Sequence, residues 1–153
     1  MNLARRACLV TVISLFFNPL FSNAGAFGQV RGLETSYALV GFELIRVELA
    51  QSEKEKDVGL SNRDLNASNS FMFFIFEKPQ VVSFWMKDTR KDLSVAFINS
   101  DNKIIQIENL KAKSLKIIKS KSFDIKYAFE VPKGFFEKSG IKIGDEVILF
   151  KYL

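Results

Sequence analysis

Histidine is absent from all 153 residues, and cysteine occurs once, as Cys8. Those two gaps exclude His-based catalytic triads, haem ligation, most zinc sites and any internal disulfide. Tryptophan is also down to a single residue, Trp85, and proline to three. No Gly-rich phosphate loop, Ser nucleophile elbow or metal-ligand spacing occurs, so neither a metal nor a cofactor is expected. What is present is ordinary for a globular chain: 48% hydrophobic, 25% charged, with a length that suits one domain.

The first residues have a different character. Arg5 and Arg6 precede an apolar run from Ala7 to Phe17, which Pro19 ends, and Ser22-Asn23-Ala24 follows. A positive start, a short apolar stretch and small residues at the −3 and −1 positions define a secretory signal. Residues 1–24 are therefore read as a signal peptide cleaved after Ala24, with Ala26 as the second choice of site. The alternative is an uncleaved anchor, but a spanning helix needs roughly 20 apolar residues, and the run here stops at Pro19. The expected location is extracytoplasmic, the periplasm where two membranes exist. Cleavage removes Cys8 and both arginines, so the formal charge of +5 falls by two and the mature chain has neither Cys nor His.

Residues 25–41 read as an irregular lead-in, broken by Gly28, Gly32 and Gly41, and residues 42–153 as the folded domain. Ile45 to Leu49 alternates apolar and charged residues, as a half-buried strand does. Ser52-Glu53-Lys54-Glu55 has the form of a capping box and predicts a short helix, Glu53 to Val58, stopped by Gly59. Phe71 to Phe76 is apolar at every position, which suits a strand buried on both faces. Pro79 is expected to separate it from a strand at Val81 to Met86. Further strands are predicted at Leu93 to Ile98 and Lys103 to Glu108, joined by an Asn99–Asn102 turn, at Ile125 to Val131 and at Glu146 to Tyr152. Pro132 and Gly140 are expected to bound a second short helix. About seven short strands and two short helices predict a mainly β (α+β) domain, a small barrel-like, strongly curled and mostly antiparallel sheet.

Two stretches attract attention for function. Phe84-Trp85-Met86-Lys87-Asp88-Thr89 places the only Trp beside a Met, a cation, a carboxylate and a hydroxyl at a strand end. An apolar wall with a few polar groups is the composition of a small-ligand site; equally, it suits a Trp that anchors a barrel mouth. The second stretch carries Lys111, Lys113, Lys116, Lys119, Lys121 and Lys126, a candidate patch for an anionic surface or simply a solubilising edge. Nucleic acid is not expected, given the small mature charge and the export signal. No segment after the signal is long and apolar enough to span a membrane. Without His or Cys, catalysis would fall to carboxylates such as Asp88 and Asp92, which Lys87, Arg90 and Lys91 crowd.

The tryptophan segment, with Leu93-Ser94-Val95-Ala96-Phe97-Ile98-Asn99 after it, resembles the signature of domain of unknown function family 192, a group of small, often exported prokaryotic proteins. Ala50 to Arg63, with Gly59, Leu60 and Arg63, resembles that family's first motif, and Met72 to Phe76 its aromatic strand. Tyr127 to Val131, Gly134 and Gly140 to Asp145 resemble its C-terminal block. Phe71, Ser61, Asp92 and Lys56 depart from the usual residues, which bears on loop shape beside the motif. The resemblance spans about residues 42 to 150 and implies a compact β-rich fold, but no established activity. Together these readings give an exported, non-enzymatic module binding a small molecule or an envelope protein, with Arg63, Trp85, Met86, Lys87, Asp88 and Thr89 as candidate ligand contacts. An envelope hydrolase using Asp88 and Asp92, or a scaffold in an assembly, are the alternatives.

Overall fold

Alternation of side chains across two faces organises this protein. The computed structural model describes residues 32–66 and 70–150, so the expected signal segment and its cleavage site lie outside the described residues. Strands β1 (Thr35–Val40) and β2 (Glu43–Ala50) form a hairpin whose two-residue turn opens with Gly41 at φ 59°. That left-handed angle suits glycine in a tight hairpin. Residues 35–40, expected to be part of an irregular lead-in, are thus a strand. Their apolar residues Ala38 and Val40 are fully buried, and the short run left too little periodicity to be read.

Helix α1 (Glu53–Val58) has the predicted bounds and a complete capping box, in which the Glu55 backbone N–H donates to Ser52 Oγ and the Ser52 N–H donates to the Glu55 carboxylate. It lies on the connection from β2 to β3 (Met72–Gln80), which pair in parallel. Pro79 does not end β3. It falls within a register shift between Ile75 and Gln80, where the ladder to the strand Ile125–Pro132 lapses and no donor is required of it. The strand expected over Val81 to Met86 shrinks to β4 (Ser83–Phe84), and this pairs with β7 (Ile118–Lys119) in a separate ribbon.

Strands β5 (Leu93–Ile98) and β6 (Ile104–Leu110) form the expected hairpin, with Asn102 at φ 60° in its turn. Strand β8 is Ile125–Pro132, α2 is Phe135–Lys138 and β9 is Val147–Phe150. Pro132 closes β8 instead of opening α2, which starts after Gly134 at φ 83°. The main sheet has seven strands in the order β6-β5-β8-β3-β2-β1-β9, antiparallel except for β2–β3. Its two edges meet at one end, where the Ile104 N–H donates to Asp145 O (3.0 Å) and the Val147 N–H to Asn102 O (2.8 Å). The result is a strongly curled half-barrel, and curling removes much of the unpaired edge.

Two apolar clusters occupy opposite faces of this sheet. One draws residues from all seven strands, among them Val40, Val47, Phe73, Ile98, Ile104, Phe129 and Val147, together with Phe136 of α2. It fills the inside of the curl. The other, with Met72, Phe74, Phe76, Val95, Phe97 and Ala128, lies on the outer face beneath Leu60, Leu65, Val82, Phe84 and Met86. Strand β3 therefore is buried on both sides, as its unbroken apolar run implied.

Candidate functional site

The tryptophan segment does not stand at a barrel mouth. It belongs to the β4–β7 ribbon that covers the outer cluster, with Phe84 and Met86 turned inward and Trp85 half exposed. Between this ribbon and α1 opens a cleft of about 320 Å³. Its walls include Phe74, Phe76, Phe84 and Trp85, the α1 residues Glu53, Lys56 and Asp57, and the Gly59–Ser61 turn; Thr89 and Glu130 also line it. The aromatic wall is well packed, since Phe74 and Phe84 meet edge to face at 5.0 Å between centroids.

Glu130 is the unexpected member. It sits on β8 opposite Met72 of β3 and Val95 of β5, in the middle of the sheet. Two-residue periodicity sends Phe129 and Val131 into the inner cluster and turns Glu130 to the outer face with Ala128. Its exposure is only 4%. Among the described residues no hydrogen bond or ion pair reaches it, and burial pushes its carboxyl up from the ordinary 4.5 to about 8. Yet no side-chain polar atom among the described residues is sealed off without a partner. The carboxyl oxygens therefore reach the cleft rather than a closed core. An acid at this depth costs stability unless something binds it.

The cation in the cleft is already engaged. Lys56 Nζ lies 2.6 Å from Glu53, donates to Ile75 O at 3.4 Å and sits 5.3 Å from the centroid of the Phe76 ring. Gly59, at φ 50° and ψ −131°, brings the chain so close that an added Cβ would meet Phe74 Cζ at 3.5 Å. A side chain there would be strained by the backbone angle, while its Cβ would make an ordinary van der Waals contact with the ring.

Of the residues singled out by sequence, Trp85 and Thr89 line this cleft. Met86 is 2% exposed in the outer cluster and serves packing. Arg63 is held by the Glu48 carboxylate, outside the cleft lining. Lys87 Nζ lies over the Trp85 ring at 5.6 Å, on the exposed side. Asp88, at φ 59°, lines a separate open hollow of about 400 Å³ with Lys87, Arg90 and Lys113. Asp92 is elsewhere again: its carboxylate accepts the Ala112 N–H at 2.8 Å and meets Lys133 at 3.4 Å. The Ala112 N–H, then Lys133, hold that carboxyl below its ordinary value. Asp88 and Asp92 thus do not share one cleft.

The lysines also separate. Lys121 lies 3.9 Å from Glu108, Lys126 donates to Glu77 O at 2.8 Å, Lys113 lines the open hollow and Lys119 lies on β7. Lys111 and Lys116 are exposed on the connection before β7. Among the described residues no cluster of three or more His, Cys, Asp or Glu has metal-binding geometry, and no helix is long and apolar enough to cross a membrane.

Sequence reasoning missed Glu130 as a site residue. Its signal was legible in part, since an acid between Phe129 and Val131 interrupts an apolar strand, but its depth depends on strands β3 and β5, remote in the chain.

A mainly β half-barrel, with a side cleft over a buried acid, is the class of domain that these features define. The DUF192 family, described as "Uncharacterized ACR", matches residues 38–149, and the chain belongs to it. Two solved structures are similar. A candidate transcription regulator from Sinorhizobium meliloti is 29% identical with a TM-score of 0.73, over 80% of this chain and 98% of that one. A protein of unknown function from Novosphingobium aromaticivorans is 27% identical with a TM-score of 0.72, over 83% of this chain and 94% of that one. Among curated proteins none matches.

Proposed function

We propose that the mature chain is an exported, non-enzymatic binding domain that takes a small molecule in the cleft between α1 and the β4–β7 ribbon. The observation that carries this reading is Glu130, a carboxyl 4% exposed and without a partner among the described residues, lining a cleft with four aromatic rings in its walls. Aromatic surface beside a few well-placed polar groups gives affinity and orientation together. Trp85 supplies a flat face at the rim, and Thr89 a hydroxyl within. A thermal-shift screen of small polar metabolites against the domain tests this. Compounds that raise the melting temperature of the wild type should lose that effect in E130Q, while a broad screen with no such compound overturns the reading.

Export rests on the order of charge, apolar run, helix break and small residues over residues 1–24. N-terminal sequencing of protein released by osmotic shock should start at Gly25. An intact Met1 found only with membranes would overturn it.

A second reading concerns the outer side of the ribbon. Ser83, Trp85 and Ile117 line a shallow apolar hollow there, Lys119 pairs opposite Ser83, and Leu115 borders the hollow of Lys87, Arg90 and Lys113. Exposed Trp, Ile and Leu among cations form a face suited to an anionic phospholipid surface. Co-sedimentation with vesicles of phosphatidylglycerol and phosphatidylcholine, but not of phosphatidylcholine alone, is the expected result. Equal recovery with both, or with neither, would remove this reading.

A further inference from the structure

We infer that the ligand of the cleft is a small organic cation, a protonated amine whose ammonium group is received by Glu130 and the aromatic wall. This deepens the binding reading above and rests on it.

Charge gives the first argument. The ionisable groups that line the cleft are Glu53, Lys56 and Asp57 on α1 and Glu130 on β8. Lys56 and Glu53 offset each other through their 2.6 Å contact, which leaves Asp57 as the unpaired carboxylate of the lining and Glu130 as a buried acid, neutral below about pH 8, with no counter-ion. In a chain with a formal charge of +5, this cleft is locally acidic. A ligand carboxylate or phosphate would meet Asp57 at the cleft and would find there no cation free of a partner, since Lys56 is held by Glu53.

The wall gives the second. Lys56 Nζ rests 5.3 Å from the Phe76 centroid, so the protein itself already seats an ammonium against this aromatic surface. Phe74, Phe84 and Trp85 offer further ring surface in the same cleft. Rings attract cations through their negative faces, more strongly where water is excluded. A neutral hydroxyl would hydrogen-bond to Glu130 but would leave this attraction unused.

The third is what Glu130 lacks. The two acids the sequence analysis singled out for chemistry, Asp88 and Asp92, have cations or a donor beside them, whereas among the described residues Glu130 has neither. An ammonium supplies both the missing charge and N–H donors, in a charge-assisted contact stronger than a neutral one. Because burial keeps the Glu130 proton on until about pH 8, binding a cation releases that proton. Affinity should then rise as pH approaches 8 from below.

Benzylammonium tests this against two relatives of the same shape, benzyl alcohol and benzoate, with Trp85 emission and calorimetry as readouts. Benzylammonium stays protonated from pH 6 to 8, so a pH effect belongs to the protein. The inference expects saturable binding at least about tenfold tighter than benzyl alcohol, no binding of benzoate, and an affinity that rises about tenfold or more from pH 6 to pH 8. Proton release should be visible as a dependence of the binding heat on buffer ionisation enthalpy. E130Q, shown by circular dichroism to be folded, should lose both the preference and the pH dependence; the wild-type pH profile stands without the variant. Equal binding of benzyl alcohol, or a flat pH profile, overturns the cation assignment and leaves the cleft reading intact. A neutral or anionic compound from the screen that binds where benzylammonium does not also overturns it. If no compound binds at all, both readings fall.

Discussion

A single carboxyl, Glu130, sets the most distinctive physical property of this protein. In the unfolded chain it ionises near 4.5, and in the fold burial moves it to about 8. Between those values the unfolded state has lost the proton and the folded state retains it, so stability falls with rising pH at about 1.4 kcal/mol per unit. Below 4.5 both states are neutral and the penalty vanishes. Urea unfolding should therefore show the wild type losing stability from pH 5 to pH 8, and E130Q losing much less. At pH 8 the variant should be the more stable by about 2 kcal/mol or more, and a wild-type profile as flat as that of E130Q would refute the assignment. Arg63 belongs at this scale too. Its guanidinium and the Glu48 carboxylate are both partly buried, so the pair ties the segment after α1 to β2. R63A should cost about 1–2 kcal/mol without changing ligand affinity, and a double-mutant cycle with E48Q should return most of that as coupling.

The element on which the cleft depends is the α1 turn. Six residues make a marginal helix in isolation, so its place is set by its caps. Ser52 and Glu55 satisfy the amides at one end, and Gly59 turns the chain out at the other. The Gly59 angles are hard for an L side chain, and the Phe74 ring stands in van der Waals contact with any added Cβ. G59A should lower stability by about 1–3 kcal/mol and weaken binding, because the turn and Phe74 are both cleft walls. S52A should cost about 1 kcal/mol with a smaller effect on binding. Thermal melts and titrations on the two variants separate these outcomes; G59A at wild-type stability would mean the turn relaxes freely.

Across the whole molecule the two faces of the sheet divide the work. The inner cluster is lined by all seven strands and holds the half-barrel closed, while the outer face carries a looser cover of ribbon, turn and short helix. The cleft lies in that cover, where a ligand can enter without opening the curl. The pH response of the molecule also has two limbs. Asp92, through the Ala112 N–H and Lys133, and Glu55, through the Ser52 and Gln51 N–H groups, are held below their ordinary values. Their stabilisation is present above those ordinary values and is lost as pH falls through the lowered ones. Glu130 acts in the opposite direction above 4.5. Calorimetry should thus place the maximum melting temperature on the acid side, near pH 5, with D92N blunting only the acid limb. A maximum above pH 7 would contradict this account.

The sequence by itself determined the elements whose signals are local. The α1 bounds follow from a capping box and a glycine, Leu93 to Ile98 from an apolar run interrupted only by Ser94, and burial of Phe73 and Phe74 on opposite faces from the absence of any polar residue between Met72 and Phe76. These depend on neighbours within a few positions, where hydrogen bonding and side-chain periodicity act. The β4–β7 ribbon was decided only in three dimensions, because two-residue strands carry no periodicity and exist through partners some 35 positions apart. Strand β1 likewise owes its order to β2 and β9. The same holds for the cleft. Trp85 and Thr89 were visible as chemistry, but Arg63 has its carboxylate on β2, and Met86, just past the end of β4, turns into the outer cluster. Glu130 was visible only as one acid among apolar neighbours. Its lack of a partner is a property of the packing around β8, and desolvation is the sum of everything the fold brings near, which no window along the chain contains.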